Sequence, residues 1–536
     1  MDPRKQYAQA ALETIPRILQ LLNRNPLSAS YGCFDREYWH YKTRDFPCGM
    51  SQEMLLPLAQ AVTMPLPGSP YFGNARLREL VRAAMDFTMR ISHRNSATDD
   101  YYPHEQALGA TVSTTHAIAH ACLLLSFTDA RTVDFLIKRG DYLATHEESG
   151  RLANHQAMAA LAAYLVFTLT GRERFRTLAR RKAELVLSWQ HPDEGWFAEY
   201  EGADPGYQTA TISFLARLRR ASGWQWLDAP LAAAVDFAWL FLHPDHSFGG
   251  EYGSRDTYHF FPHGFELLAG ANPKAKELAD GLLRGMASGS AARNDDDRMA
   301  GQLSPEYFFA HQDFFPRRMN PPAPRAPFLS HLPDAGLVVV STPSYYAVAN
   351  LKKGGVLKAY TPRGCFCSDT GLGVMCHDGL VLTSQVRDPL ATVTVGAEGR
   401  SFTVEGRLHR RPDHHFSPGS MALFRAASQS IARVAPNLLR RLVQRAAMVG
   451  IPSSEFPFQR HIEFLSDRLV VTDTLPQAVP ACLLGIGPDA TSMYTANSQV
   501  YQRDAVLLPW QWADDKALAA ARAGGFTWRR EITPGG

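Results

Sequence analysis

Apolar residues recur at three- and four-residue spacing from about residue 5 to residue 290. The spacing predicts helices over Asn74–Arg94, Glu105–Ser126, Ala130–His146, Asn154–Thr170, Glu173–Gln190, Gln208–Ala221 and Ala229–Leu242. Short loops containing Gly, Pro or Asp separate them, so sequential helices should pack as antiparallel neighbours. No fixed repeat period links the segments, which disfavours a solenoid of standard repeats. A closed or horseshoe α/α barrel of non-identical hairpins fits better, with loops gathered into a cleft at one end.

The pattern breaks near residue 289. The run from Ser288 to Arg298 is polar and Pro316–Pro327 is proline-rich, so 291–334 reads as a linker between domains. Beyond it the period changes to two. Runs beginning at Gly336, Tyr345, Gly379, Ser401 and Arg468 look like strands between turns. The expected architecture is an N-terminal (α/α) toroid over 1–290 followed by a C-terminal antiparallel β-sandwich over 335–536. A helical insertion at about 421–448 interrupts the sandwich. It carries Arg425, Arg433, Arg440, Arg441 and Arg445, and Pro436 should kink it or start a new helix. Two readings stay open for it: a solvated helix on the β domain, or an amphipathic helix in peripheral contact with anionic lipid.

Bulk composition adds bounds. At 536 residues the chain is too long for one core. Its 45% hydrophobic and 20% charged content is ordinary for a globular protein. Fifty-five basic against 52 acidic residues give a net charge of +3, which offers no support for nucleic-acid binding. The N-terminus lacks a signal-peptide core, and no apolar run reaches the length of a membrane span. The expected location is therefore the cytoplasm, or the inner face of the membrane by peripheral contact. Seven scattered cysteines fit free thiols in a reducing compartment.

The candidate chemistry centres on Asn154 and His155, which open a predicted helix, and on the loop Gly195–Tyr207. An amide and an imidazole can steady a carboxylate while a phenol moves a proton from the adjacent carbon. The expected catalytic set is Asn154, His155, Tyr207, Arg255 and Tyr252. Arg255 would supply the cation that a basic tyrosine needs, and it could grip a substrate carboxylate. Expected substrate contacts are Tyr102, His104 and Glu105 before one helix, Trp196, Glu199 and Tyr200 in the loop, and His259 and His263 after Arg255. His116 reads as a packed helix residue. The aromatic run from Tyr31 to Lys42 reads as a clamp on the first hairpin.

A helical toroid, an antiparallel β domain, the Asn154–His155 pair and Tyr207 in an acidic, glycine-containing loop together resemble the heparinase II/III-like and alginate lyase superfamily. The strand pair around Arg460–Asp473 resembles that family's β domain. The resemblance implies a polysaccharide lyase that abstracts the C5 proton of a uronic acid, with an acidic polysaccharide as partner. It implies Asn154 as a carboxylate donor, His155 as charge neutraliser or base, and Tyr207 as acid or as both base and acid. The chain departs from the family pattern at Gly355–Gly371, where a histidine-rich strand is usual and no histidine stands.

Other readings remain open. A uronyl C5-epimerase shares the first step. Glu199, Glu201 and Asp204, with Glu105 or Glu251 across a cleft, would suit a glycoside hydrolase. A glycan-binding protein would keep the toroid without the chemistry. No cofactor is required. A structural zinc or calcium ion has no clear ligand motif: Cys365, Cys367, Cys376 and His377 match no standard spacing, and alternation would put Cys365 and Cys367 on one strand face.

Overall fold

The structure, a computed structural model, describes residues 2–535 apart from 149, 201, 293–295, 298–299, 318–324, 412–415, 448–452 and 492–499. Twelve helices of six residues or more build the N-terminal part among the described residues: α1 (Pro3–Leu21), α2 (Leu55–Thr63), α3 (Ala75–Ile91), α4 (Leu108–Leu125), α5 (Ala130–Thr145), α6 (Ala153–Thr170), α7 (Glu173–Leu187), α8 (Pro205–Ser222), α9 (Asp228–Trp239), α10 (His263–Leu268), α11 (Pro273–Ser288) and α12 (Ala300–Gln312). The even-numbered ones form an inner ring. Each touches the next, and α12 returns to α2, so the barrel is closed.

Sequence composition sorts the helices into two layers. The inner α4, α6 and α8 are buried nearly all round, with small residues such as the Ala-rich stretch of α6 allowing close approach. The outer α3, α5 and α7 bury one stripe and turn charge outward. Helix α4 is apolar and long enough to cross a membrane, but 83% of that window is buried, as befits a core helix. The aromatic run after α1 does clamp the first hairpin: Asp35 caps a short helix, and the Trp39 indole donates to the Leu21 carbonyl at 2.8 Å.

Two expectations change here. Residues 291–334 are more than a linker, since α12 packs on α1 and α2 and completes the ring. Its apolar residues follow a polar run, which masks it in a sequence reading. Strand β1 (Phe328–Leu332) likewise already belongs to the β domain.

The C-terminal part stacks two antiparallel sheets. The first is a meander of β1, β2 (Leu337–Ser341), β3 (Tyr346–Asn350), β4 (Val356–Thr361) and β5 (Gly364–Asp369). The second is a curled nine-stranded sheet that includes β6 (Leu372–Cys376), β7 (Val381–Thr383), β8 (Thr392–Val395), β9 (Ser401–Arg410), β10 (Ser453–Phe464), β11 (Leu469–Leu475) and β12 (Ala481–Ile486). Strands β2 and β3 are buried at every position. The alternation explains it. Leu337, Val339, Tyr346 and Val348 join the toroid core, whereas Val338, Val340, Ala347 and Ala349 join the inter-sheet core. An unbroken Leu337-Val338-Val339-Val340 run is what a strand buried on both faces requires.

A register shift in the β4–β5 pairing sends Cys365 to the toroid side and Cys367 to the inter-sheet side, so the two do not share a face as strict alternation predicts. Between the sheets, Arg460 and Arg530 are each paired with both Asp369 and Asp473.

The insertion lies between β9 and β10. It comprises α13 (Pro418–Ala427), a turn of π-helix at Ser428–Ala432, and α14 (Pro436–Ala447), which Pro436 starts. It docks on the toroid loops instead of resting on the β domain. Ala432 and Leu439 bury Tyr102, the Phe424 ring meets Tyr102 edge-on, and Arg425 pairs with Asp45 at 3.4 Å. The side chains of Arg441 and Arg445 lie outside the described residues.

The first sheet also grips the loop 249–259. Buried Lys353, in the β3–β4 turn, donates to the Glu251 and Gly253 carbonyls at 2.9 and 3.0 Å and pairs with Asp256. Lys358 pairs with Glu251 at 2.6 Å, and the Asn350 amide donates to the Tyr252 carbonyl at 2.6 Å. Lys353→Met strands the Asp256 carboxylate in a buried setting. A loss of roughly 3–5 kcal/mol in urea unfolding is expected, with partial recovery in the Lys353→Met/Asp256→Asn double variant.

Candidate active site

Helix α6 starts at Ala153, with Leu152 as an N-cap that offers no side-chain bond. Its first-turn N–H groups need acceptors from elsewhere. Glu199 supplies one: its Oε1 accepts from the Asn154 backbone N at 2.9 Å and from Asn154 Nδ2 at 2.7 Å. Asn154 is therefore inside the helix and not its cap. Glu199 sits in a two-residue antiparallel ribbon with Gly202 opposite, which turns its side chain toward α6. Its other oxygen faces Arg255 Nη1 at 3.4 Å. Burial raises the Glu199 carboxyl, and Arg255 and Asn154 oppose that rise.

Tyr207 falls in the first turn of α8, not in the preceding loop. Asp204 caps that helix by accepting from the Tyr207 N–H at 3.0 Å. The same carboxylate accepts from the Arg255 N–H at 2.9 Å and from the Thr257 hydroxyl. One acid thus registers α8 against the Arg255 loop. Gly206 permits the close approach, since a Cβ there would meet Thr257 Oγ1 at 2.3 Å.

The Arg255 guanidinium lies 4.2 Å from the Tyr207 ring centroid and 4.6 Å from that of Tyr200. Burial lowers its basicity, but the two phenols and the nearby acids more than compensate, so it stays cationic. The His259 ring meets Tyr207 edge-on at 4.6 Å. Among the described residues, neither ring nitrogen of this buried histidine has a hydrogen-bond partner, and Arg255 Nε has none either. Burial, then Arg255, lowers His259 to about 3, so the imidazole is neutral.

His155 has the opposite setting. Its Nδ1 lies 2.6 Å from Glu148 Oε2, and Arg440 of the insertion pairs with Glu148 Oε1 at 2.6 Å. Burial opposes charge on His155, but Glu148 raises it above its ordinary value. Burial likewise pushes Glu148 up, and His155 and Arg440 outweigh it, lowering the acid to about 2. Gly109 on α4 leaves room for the imidazole, whose Cε1 lies 3.0 Å from where a Cβ would stand.

The fold thus brings together Asn154, His155, Glu199, Tyr200, Tyr207, Arg255 and His259. It places the other expected residues elsewhere. Tyr252 is in the core, its hydroxyl bound to His243 at 2.9 Å. His263 stacks on Phe309 and bonds to Asp313 at 2.8 Å, bracing the ring beside the Arg217–Glu306 pair. His116 is in that same network, 2.9 Å from Arg217. Trp196 is packed on His191 and tied to Glu194. Glu105 precedes α4 and accepts from the Asp100 and Tyr101 N–H groups, Tyr102 is covered by the insertion, and the backbone N–H of His104 is held by Asp99. Glu201 lies outside the described residues. Glu148 and Arg440 complete the cluster, and no sequence motif marked them as site residues; Asp204, a hydrolase candidate in the sequence, serves instead as the α8 cap. Among the described residues no group of three or more His, Cys, Asp or Glu is placed to hold a metal ion.

No sequence-family profile matches the chain, and no curated protein matches it by sequence. Solved structures do match in shape. A Paenibacillus xanthan lyase aligns over 90% of this chain and 46% of its own length, with a TM-score of 0.55 and 12% identity. A Streptomyces coelicolor A3 chondroitin AC lyase in complex with chondroitin sulphate aligns over 90% of this chain and 68% of its own, with a TM-score of 0.57 and 14% identity. The chain has the toroid-plus-β fold of polysaccharide lyases. It spans less than half the length of the xanthan lyase.

Glu148→Gln removes the main group that holds His155 above its ordinary value and leaves burial and Arg255, which lower it, opposed by Glu199 alone. The His155 titration followed by ring-proton NMR is expected to move below 6.5 in that variant. In the parent, the Glu148 contribution to stability is fully present above the unfolded value of 4.5 and is lost as pH falls toward about 2.

Proposed function

We propose that this protein is a polysaccharide lyase that cleaves a uronic-acid-containing chain by β-elimination. The observation that carries the reading is the hydrogen-bonding capacity left unspent around Tyr207. Among the described residues, Arg255 Nε and both nitrogens of His259 are buried without hydrogen-bond partners beside that phenol. Buried polar groups left so call for a partner from outside the chain, a ligand or an ordered water. The fold shared with two lyases supports the same reading.

The environments sort the roles. His155, held toward its cationic form, neutralises charge. His259 at about 3 is too weak a base to hold a proton, so it accepts a hydrogen bond. Arg255 and the remaining amide hydrogen of Asn154 hold the uronate carboxylate and stabilise the enolate-like intermediate. Proton transfer falls to Tyr207. As phenolate beside Arg255 it takes the C5 proton. The C5–H pair becomes the C4–C5 double bond, the C4–O4 bond breaks, and the departing O4 takes the proton back from Tyr207. Glu199 and Asp204 are spent on Asn154, Arg255 and the α8 cap, which weighs against hydrolysis by paired acids.

Incubation with uronic-acid polysaccharides is expected to raise the ultraviolet absorbance of the new double bond conjugated to the carboxylate. Tyr207→Phe should lower that rate by about 10²–10⁴-fold with the folded circular-dichroism spectrum retained. Absence of any rise across alginate-like, glycosaminoglycan and bacterial exopolysaccharide substrates sinks the lyase reading. Exchange of the C5 proton in deuterated water would then assign an epimerase.

A further inference from the structure

The insertion has two apolar faces, and only one is used. The inner face buries Tyr102 through Ala432 and Leu439. Away from Tyr102 the insertion exposes Phe416 (58%), Met421 (40%), Leu423 (73%), Ile431 (41%), Val434 (87%), Leu438 (53%) and Leu442 (51%), with Phe416 stacked on Phe424. These are seven of the twenty-two exposed large apolar side chains among the described residues, within twenty-seven consecutive positions. An exposed apolar cluster of this density marks a contact surface.

Charge narrows the partner. From Phe416 to Ala447 the sequence carries five arginines and no aspartate or glutamate. Arg425 and Arg440 are engaged with Asp45 and Glu148 on the inner side, and Arg433 is exposed beside the outer apolar set. A hydrated polyuronate would pair with arginines but leave leucines and valines in water. A surface of acidic headgroups over acyl chains satisfies both.

We propose that the outer face of the 416–442 insertion seats the protein on an anionic lipid surface. The apolar side chains enter the headgroup–acyl boundary while Arg433 meets the headgroups. Arg440 stays on Glu148, so the seated element is also the one that meets the Glu148–His155 pair. The inference is independent of the reaction catalysed there.

The test is co-sedimentation of the whole protein with vesicles of phosphatidylcholine alone or enriched in phosphatidylglycerol. Binding to the enriched vesicles is expected, falling about tenfold or more in the Leu423→Ser/Val434→Ser/Leu438→Ser variant. Arg433→Gln should weaken it by about fivefold, and added salt should weaken it further. All three leucine and valine positions are exposed, so circular dichroism should match the parent, and Arg433→Gln provides the second arm if the triple variant misfolds. Failure to bind the enriched vesicles, or equal binding by the variants, overturns the proposal. So does a dimer without vesicle binding that the triple variant converts to monomer, since a second copy would then be the occupant.

Discussion

Two buried carboxylates, Glu199 and Asp204, hold the candidate site in register. Glu199 takes two hydrogen bonds from Asn154 and faces the Arg255 guanidinium. It thereby joins the start of an inner helix to a loop on another side of the barrel mouth. Asp204 repeats the device one layer away, capping α8 and holding the Arg255 backbone. Such acids cost desolvation, and they are tolerated because donors surround them. The site depends on this geometry because Tyr207 and Arg255 come from different elements, and these two carboxylates tie those elements together.

Two histidines near this centre show how burial alone does not set charge. His155 and His259 are both enclosed. One faces Glu148 and is held toward its cation, and the other faces Arg255 and is kept neutral. The division gives the cleft both a positive group and a neutral imidazole. It also places the insertion in the electrostatics of the site, because Arg440 shares Glu148 with His155.

The parts legible in the sequence were those governed by local rules. Three- and four-residue apolar spacing located α3 to α9, inner and outer alike, and the change to period two located strands such as β2. Asn154, His155, Tyr207 and Arg255 could be picked out because they sit in loops or helix starts with glycine and acid around them. Residues whose meaning depends on distant partners were not legible. Glu148 gains its role from Arg440, 292 positions away, and Lys353 from Asp256, 97 positions away. Tyr252 and His263 looked equivalent to Arg255 in the same loop region, yet the chain turns them into the core and the ring interior. The register shift that separates Cys365 from Cys367 is likewise invisible to strict alternation.

Ring closure has a consequence for synthesis. Helix α12 (Ala300–Gln312) packs on α1 (Pro3–Leu21), so the seam of the toroid joins segments nearly three hundred residues apart. A chain leaving the ribosome must extend past Gln312 before that seam can form. Until then α1 and α2 present apolar stripes with no neighbour on one side, an open state that invites association with chaperones or with other nascent chains.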